Sequence, residues 1–347
     1  MPNSISEIDI EDIIEYVKTI FTINKGVHYI IFPLQGSSLK RDIWFSRYHI
    51  LVCKKEDALL DQIASITSID KSDVKQFLEH TKRSRSRDFL KSNIMIIEVE
   101  NQTGNVRDSA YQLAQNCVDV LSLLQTAYGI EVSVFTKVEC LEAENRHVAI
   151  LSKDGWRCGH GYNWNAHLQC KIDLDFMDDI LYQTKFAKLY ESITIRKNSD
   201  ELSYKFINAF RLFSRGLVQR KLQGDEALAM LLYFTSLESL ITESQQEKRL
   251  RLAAILPKLV DGYGYSSREL STTIDELYKQ RNDFVHAGRV PSFSFEDKKL
   301  ECLERVTALM ILKYLDIDTM IELKSGQTRL CAWDNYLDKI FKDIIFC

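Results

Sequence analysis

The sequence has few of the residues and segments that mark disordered, secreted or membrane proteins. It contains only 4 prolines and 13 glycines in 347 residues, which argues against a disordered chain. Its apolar runs, such as 94–97 and 227–234, are far too short to cross a bilayer. Its first residues, MPNSISEIDIEDIIEYV, are acidic and lack the basic and then apolar pattern of a secretory signal. We therefore expect a cytoplasmic protein with no membrane partner.

The net charge and the cysteine content rule out few classes of protein by themselves. The formal net charge is −4, so overall charge does not indicate a nucleic-acid binder and any such surface would have to be local. Eight cysteines are spread over the chain, and in a cytoplasmic protein they are expected to be reduced thiols. With 45% hydrophobic and 27% charged residues, the chain has a globular composition, and its length allows two domains.

The first half of the chain mixes helical and strand-like apolar spacing. The spacing predicts helices over 5–21, 70–80 and 108–128. β-branched and aromatic runs predict strands over 26–34, 43–52, 93–99, 130–138 and 146–152, the last of which should enter a hairpin near 154–155. We interpret residues 1–195 as a mixed α+β domain. By analogy alone, its role would be to sense a signal or to recruit a substrate.

The second half shows only helical patterns. Predicted helices lie near 175–190, 201–222, 225–242, 247–260, 267–285, 296–314 and 333–345. The fold class is therefore α+β overall, with an all-α bundle over residues 196–347 and a helical extension at its C-terminal end.

Residues 274–290, IDELYKQRNDFVHAGRV, are the most informative stretch of the second half. If these residues form a helix, they extend an apolar stripe along one of its sides. Arg281 falls in the middle of that stripe. The residues predicted to form this stripe are Leu270, Ile274, Leu277, Phe284 and Val285. A guanidinium does not lose its charge, so Arg281 needs an anion or a partner surface. His286 follows five residues later, just before a predicted helix end at Ala287 and Gly288.

Glu238 is the natural partner for this arginine. The predicted helix over 225–242 is apolar nearly all round and should be buried, so a carboxylate within it needs a partner. One interpretation is a buried Glu238–Arg281 ion pair that orders the bundle. The other is that the arginine and the nearby histidine form a catalytic site.

An arginine and a histidine are suited to cleaving RNA without a metal ion. An imidazole can take a proton from a ribose 2′-hydroxyl or give one to the leaving 5′-oxygen. A guanidinium can stabilise the charge on the phosphate oxygens. Residues five apart on a helix lie about 140° apart around its axis, so one copy of the motif does not bring Arg281 and His286 together. A two-fold dimer that apposes two such helices could.

Residues 281–286, RNDFVH, resemble the R-x4-6-H signature of the HEPN superfamily, in which an asparagine commonly follows the arginine. The segments LLYFTSLESLITE and KRLRLAAILPKLV resemble inner helices of the Apea-like HEPN group. The resemblance covers roughly residues 200–315. It implies an all-α domain that dimerises and that, in active members, carries a metal-independent ribonuclease site at the dimer interface.

Carried onto this sequence, the resemblance makes Arg281 the phosphate-binding catalytic residue and His286 the general acid and base. Asn282 would be a supporting polar residue, and Glu238 occupies a family-like position whose role is left open. The expected function is that of an endoribonuclease without cofactors, acting as a toxin or as an anti-phage, abortive-infection effector. The alternative is an inactive HEPN scaffold that binds RNA or a protein partner.

Two further groups of residues are candidates for ligand contacts. Basic residues along the helix predicted over 201–222 could track RNA phosphates if a dimer forms a groove, although a solvated face is their usual meaning. They include Lys205, Arg211, Arg215, Arg220 and Lys221. Four potential zinc ligands fall within thirteen residues of the loop WRCGHGYNWNAHLQC, but with a spacing unlike that of common zinc fingers, so an incidental cluster is the alternative. These are Cys158, His160, His167 and Cys170.

Overall fold

The computed structural model describes the chain in segments that form two compact units. The described residues are 26–34, 43–45, 50–53, 59–67, 69–83, 93–101, 106–130, 148–152, 155–159, 175–194, 200–241, 248–261, 263–291, 293, 298–320, 323 and 326–345. One unit comprises Met1–Gln115 with Val138–Asp175, and the other Asn116–Lys137 with Phe176–Cys347. Residues 176–194 thus group with the second unit, whereas the predicted domain boundary falls after residue 195. The helix predicted over 5–21 and nearly all of the strand predicted over 130–138 lie outside the described residues.

The first unit contains an antiparallel sheet of six strands in the order β2-β3-β4-β1-β5-β6. The strands are β1 Gly26–Leu34, β2 Ile43–Phe45, β3 Ile50–Cys53, β4 Asn93–Asn101, β5 Val148–Ser152 and β6 Gly155–Gly159, and two helices accompany them, α1 Leu59–Thr67 and α2 Lys71–Arg83. Met95, Ile96 and Ile97 of β4 are all buried. Because successive side chains of a strand point to opposite faces, both faces of the sheet are covered at this point.

Most predicted elements of this unit are confirmed. Strand β1 has the predicted bounds, and β5 pairs with β6 from Ser152 opposite Gly155, as expected for the predicted hairpin. The single strand predicted over 43–52 is wrong, because β2 and β3 are two short strands that pair with each other. The polar residues at 46, 47 and 49 interrupt the apolar run, and such a run is as compatible with a hairpin as with one strand.

All regular secondary structure among the described residues of the second unit is helical, which confirms the predicted all-α character of this half. It includes the C-terminal part of α3 Val106–Tyr128, which starts in the first unit. The other helices are α4 Ile180–Thr194, α5 Glu201–Val218, α6 Glu226–Ile241, α7 Lys248–Leu259, α8 Ser267–Ala287, α9 Lys299–Met320 and α10 Arg329–Ile345. None of the helices among the described residues is long and apolar enough to cross a membrane.

Helix α6 lies at the centre of the second unit, as its apolar circumference predicted. Its residues Met230, Phe234 and Leu237 are completely buried. The Ser236 hydroxyl donates a hydrogen bond of 2.7 Å to the carbonyl oxygen of Ala209 in α5. Buried polar groups of this kind need partners, so they fix how the neighbouring helices are placed around α6.

A π-helical turn, Gln219–Gln223, follows α5 and redirects its last basic residues. Nη1 of Arg220 lies 2.8 Å from Oε2 of Glu304 in α9, and Nζ of Lys221 lies 3.4 Å from Oε1. The Tyr233 hydroxyl of α6 also donates to Glu304, at 2.8 Å. Arg220 and Lys221 therefore neutralise a buried carboxylate, and the solvated face expected for them from the sequence is wrong.

The close contact between α5 and α6 depends on Gly216. A Cβ added there would lie 2.4 Å from Cε1 of the fully buried Tyr233. Replacing a helical glycine by alanine ordinarily stabilises by about 1 kcal/mol, but overpacking this contact reverses the sign. We expect Gly216→Ala to lower the free energy of unfolding by about 2 kcal/mol, measured by urea denaturation. Asn208→Ala in the same helix is the control and should leave stability unchanged or slightly raised, because alanine is the better helix former.

Candidate functional site

The helix that carries the candidate motif has well-formed ends. At its start, Ser266 is the N-cap: the amide of Glu269 donates to its hydroxyl at 3.2 Å, and that hydroxyl donates to the Glu269 carboxylate at 2.7 Å. At its end, Gly288 has a φ of +64° and its amide donates to the carbonyl oxygen of Phe284 at 3.2 Å. A left-handed glycine is the usual helix stop, so the end predicted at Ala287 and Gly288 is confirmed.

The buried part of the apolar stripe of α8 does not extend over the whole of the candidate motif at residues 281–286. Leu270, Ile274 and Leu277 are buried, as predicted, whereas Phe284 is only half-buried and Val285 is 46% exposed. The prediction that Val285 belongs to the buried stripe is therefore wrong. The helix continues past its contacts with the core, so its last turn presents its side chains to solvent.

The ion pair considered from the sequence is present, but it is part of a larger cluster. Nη2 of Arg281 lies 3.4 Å from Oε1 of Glu238. The same carboxylate oxygen accepts a hydrogen bond of 2.7 Å from the Tyr278 hydroxyl. Oε2 of Glu238 lies 3.4 Å from Nζ of Lys248, the first residue of α7. Glu238 thus connects α6 to both α7 and α8.

This cluster carries more positive than negative charge. Arg281 and Lys248 supply two cations against the single carboxylate of Glu238. Burial, followed by the hydrogen bond to Glu238, raises the pKa of Tyr278 above its ordinary value, so its phenol is neutral at physiological pH and adds no charge. One positive charge is therefore left over among these four side chains.

The guanidinium of Arg281 is held by neighbouring groups and stays partly exposed. Nη1 donates to Oδ1 of Asn282 at 3.0 Å, which fits the supporting role predicted for that residue. Nε is buried and has no hydrogen-bond partner among the described residues. The Arg281 side chain keeps 17% of its surface exposed, and its Cζ lies 5.3 Å from the centroid of the Tyr278 ring. It is thus held in place, with one side reachable from solvent.

His286 lies in the exposed last turn of the same helix. It lies five positions after Arg281 along the helix, a rise of about 7.5 Å and a rotation of about 140°. No contact joins the two side chains in the described part of the structure. A single chain therefore presents the guanidinium and the imidazole on different sides of the helix, as the spacing predicted.

The basic residues predicted on α5 do not form one row. Arg211 and Arg215 are exposed and one turn apart on the same face, together with Tyr204, which is 54% exposed. Lys205 is half-buried and is rotated about 80° from Arg215 and about 120° from Arg211. Only the two arginines and the tyrosine share a surface.

The zinc alternative stays untested. The backbone of Cys158 belongs to β6, but His160, His167 and Cys170 lie outside the described residues. Within the segments that the structure describes, no group of three or more histidine, cysteine, aspartate or glutamate side chains is placed to hold a metal ion.

Two members of the cluster, Tyr278 and Lys248, were not predicted from the sequence. Tyr278 precedes Arg281 by three residues and so shares its side of the helix, a signal that was available. Lys248 comes from the start of another helix, and its position depends on how α7 and α8 pack, which local spacing does not reveal.

No protein-family model, curated protein or solved structure matches the chain. The resemblance to the HEPN superfamily therefore rests on the sequence motifs alone.

The cluster geometry predicts unequal effects of removing its two central charges. After Arg281→Gln, Glu238 keeps Lys248 and Tyr278 as partners, so the free energy of unfolding should fall by only about 1 kcal/mol. Glu238→Gln leaves two half-buried cations without their carboxylate and should cost about 3 kcal/mol. Urea denaturation of both variants measures the difference.

The control is Lys279→Gln, because Lys279 forms a 3.0 Å pair with Asp275 and its side chain is 54% exposed. Its loss should cost less than about 0.5 kcal/mol. If Arg281→Gln and Glu238→Gln lowered the free energy of unfolding equally, Arg281 would be a purely structural partner of Glu238.

Proposed function

We propose that this protein is a metal-independent endoribonuclease of the HEPN type that acts as a toxin or as an anti-phage effector in the cytoplasm. The observation that supports it best is the state of Arg281. This guanidinium is fixed by neighbouring groups, belongs to a cluster with surplus positive charge and keeps 17% of its side-chain surface exposed to solvent. These are the properties of a phosphate-binding residue.

His286 would supply the acid–base chemistry. In the proposed reaction, its imidazole takes the proton of a ribose 2′-hydroxyl, and the 2′-oxygen attacks the adjacent phosphorus. The bond from phosphorus to the 5′-oxygen breaks, and that oxygen receives a proton from an imidazolium. The products are a 2′,3′-cyclic phosphate and a 5′-hydroxyl. Arg281 stabilises the negative charge that develops on the non-bridging oxygens.

The site requires two copies of the chain in this proposal. Because Arg281 and His286 diverge around α8 by about 140°, the arginine of one copy would work with the histidine of another in a two-fold homodimer. The exposed Val285 directly precedes His286, and the 72% exposed Val290 follows it four residues later, beyond the helix end. They supply apolar surface where the second copy would pack.

Arg211, Arg215 and Tyr204 of α5 are the best candidates to bind the rest of the RNA. Two arginines one turn apart suit successive phosphates, and an exposed tyrosine can stack on an unpaired base. Lys205 points to another side of the helix and would contribute less.

The alternative is an inactive HEPN-like scaffold that binds RNA or a protein. Glu238 lies 3.4 Å from the guanidinium, and this contact favours the alternative because it offsets part of the charge that a phosphate would need. In that case Arg281 would serve chiefly to hold α8 against α6, and His286 would have no catalytic role.

An RNA-cleavage assay in EDTA separates the two functions. Wild-type protein should leave 2′,3′-cyclic phosphate ends, and His286→Ala should lower the cleavage rate by about 10²–10⁴-fold, the usual contribution of general acid–base catalysis. Because His286 is exposed, the variant should keep the wild-type melting temperature.

The matched control is Arg268→Ala, at the opposite end of the same helix. Arg268 is exposed and about 27 Å from His286 along the helix, so this variant should cleave like wild type. Wild-type cleavage that His286→Ala leaves unchanged would contradict the mechanism. Absence of cleavage across a broad panel of RNAs would favour the scaffold.

A further inference from the structure

A cavity of about 500 Å³ lies in the second unit, at the opposite end of α8 from Arg281. Tyr265, just before α8, forms part of its wall, which places the cavity about 20 Å along the helix from Arg281. Its volume falls within the range of roughly 300–1,000 Å³ that is typical of small-molecule sites. It is therefore separate from the proposed ribonuclease site and large enough for a ligand of nucleotide size.

The charges around this cavity are predominantly positive. Lys221, Lys298 and Arg305 line it together with Glu301 and Glu304. Glu304 is also paired with Arg220, at 2.8 Å from Nη1 to Oε2. Among the described residues, three cations and two carboxylates line the cavity, and Arg220 behind Glu304 adds a fourth cation, so this group of side chains carries two more positive than negative charges.

Two of these cations have no carboxylate partner among the residues that the structure describes. Within the described parts of the chain, neither Lys298 nor Arg305 forms an ion pair. Arg305 is positioned by neutral groups, because its Nε donates to the carbonyl oxygen of Ala127 at 3.2 Å and its Cζ lies 5.4 Å from the centroid of the Tyr265 ring. A Cβ on Gly129 would lie 3.2 Å from that Cζ, so the guanidinium packs closely on the glycine. The arginine is fixed without being neutralised.

The remaining polar side chains of the wall are neutral donors. Burial raises the pKa of the Cys302 thiol to about 11, and burial also raises the pKa of Tyr265. Both groups keep their protons at neutral pH, so neither opposes an anion. A protonated thiol is also a poor nucleophile, which suits this cavity to binding and not to covalent catalysis.

We propose that this cavity binds a small molecule that carries at least two phosphate groups. Two surplus positive charges match a phosphorylated ligand, and the fixed guanidinium of Arg305 provides the planar donors that phosphate oxygens prefer. Lys298 lines the cavity and is exposed, so its ammonium is available to a bound phosphate. The proposal does not depend on the ribonuclease activity.

Isothermal titration calorimetry of the full chain at low ionic strength, with pyrophosphate and with ADP as probes, tests this site. Wild-type protein should bind at least one probe, and Lys298→Glu should weaken that binding by at least about tenfold, because the charge reversal faces the phosphates directly. Lys298 is exposed, so the variant should fold, which its melting temperature checks. Lys258→Glu, an exposed lysine of α7 outside the cavity, should bind like wild type.

The two probes distinguish the source of the phosphate. Tighter binding of ADP than of pyrophosphate would support a nucleotide, and equal binding would support recognition of the phosphates alone. Absence of binding heat with both probes at millimolar concentration would overturn the proposal. Equal affinity of wild type and Lys298→Glu would overturn it as well, because binding would then lie elsewhere.

Discussion

The second unit depends on one constraint: the buried polar groups of its central helix α6 need hydrogen-bond partners, and several of them find these on other helices. Ser236 bonds to α5, and Tyr233 bonds to Glu304 of α9. The indole of Trp333 in α10 donates to the carbonyl oxygen of Leu240 at 2.6 Å. Glu238 reaches Tyr278 of α8. Apolar packing alone would tolerate several arrangements of helices around α6, and these directional bonds select one.

The same constraint places the candidate catalytic residue. Glu238 must be compensated because it lies on a buried helix, and the groups that do so include Lys248, Tyr278 and Arg281. Together they hold the guanidinium at the edge of the core. Because two cations face one carboxylate, Arg281 is positioned by Glu238 without being fully neutralised. Structural pairing and phosphate binding are thus compatible roles for one arginine, and the proposed function requires both.

Local sequence patterns predicted the helices and their ends better than they predicted the contacts between distant segments. The C-terminal end of α8 follows from Gly288, and the burial of α6 follows from its apolar circumference. The division of 43–52 into two strands, the π turn that redirects Arg220 and the contact of Lys248 with Glu238 were all missed. Each depends on which segments pair across the fold, or on a local departure from regular helix geometry, and neither leaves a periodic signal.

The most direct test of the proposed composite site is to mix two inactive variants. Arg281→Ala and His286→Ala should each be inactive alone, because every site in their homodimers lacks one group. If the two groups come from different copies, random mixing should restore about a quarter of wild-type cleavage, since half of the dimers are mixed and each of these has one complete site. Cleavage that stays at the level of the single variants, in mixtures shown to exchange subunits, would contradict the account.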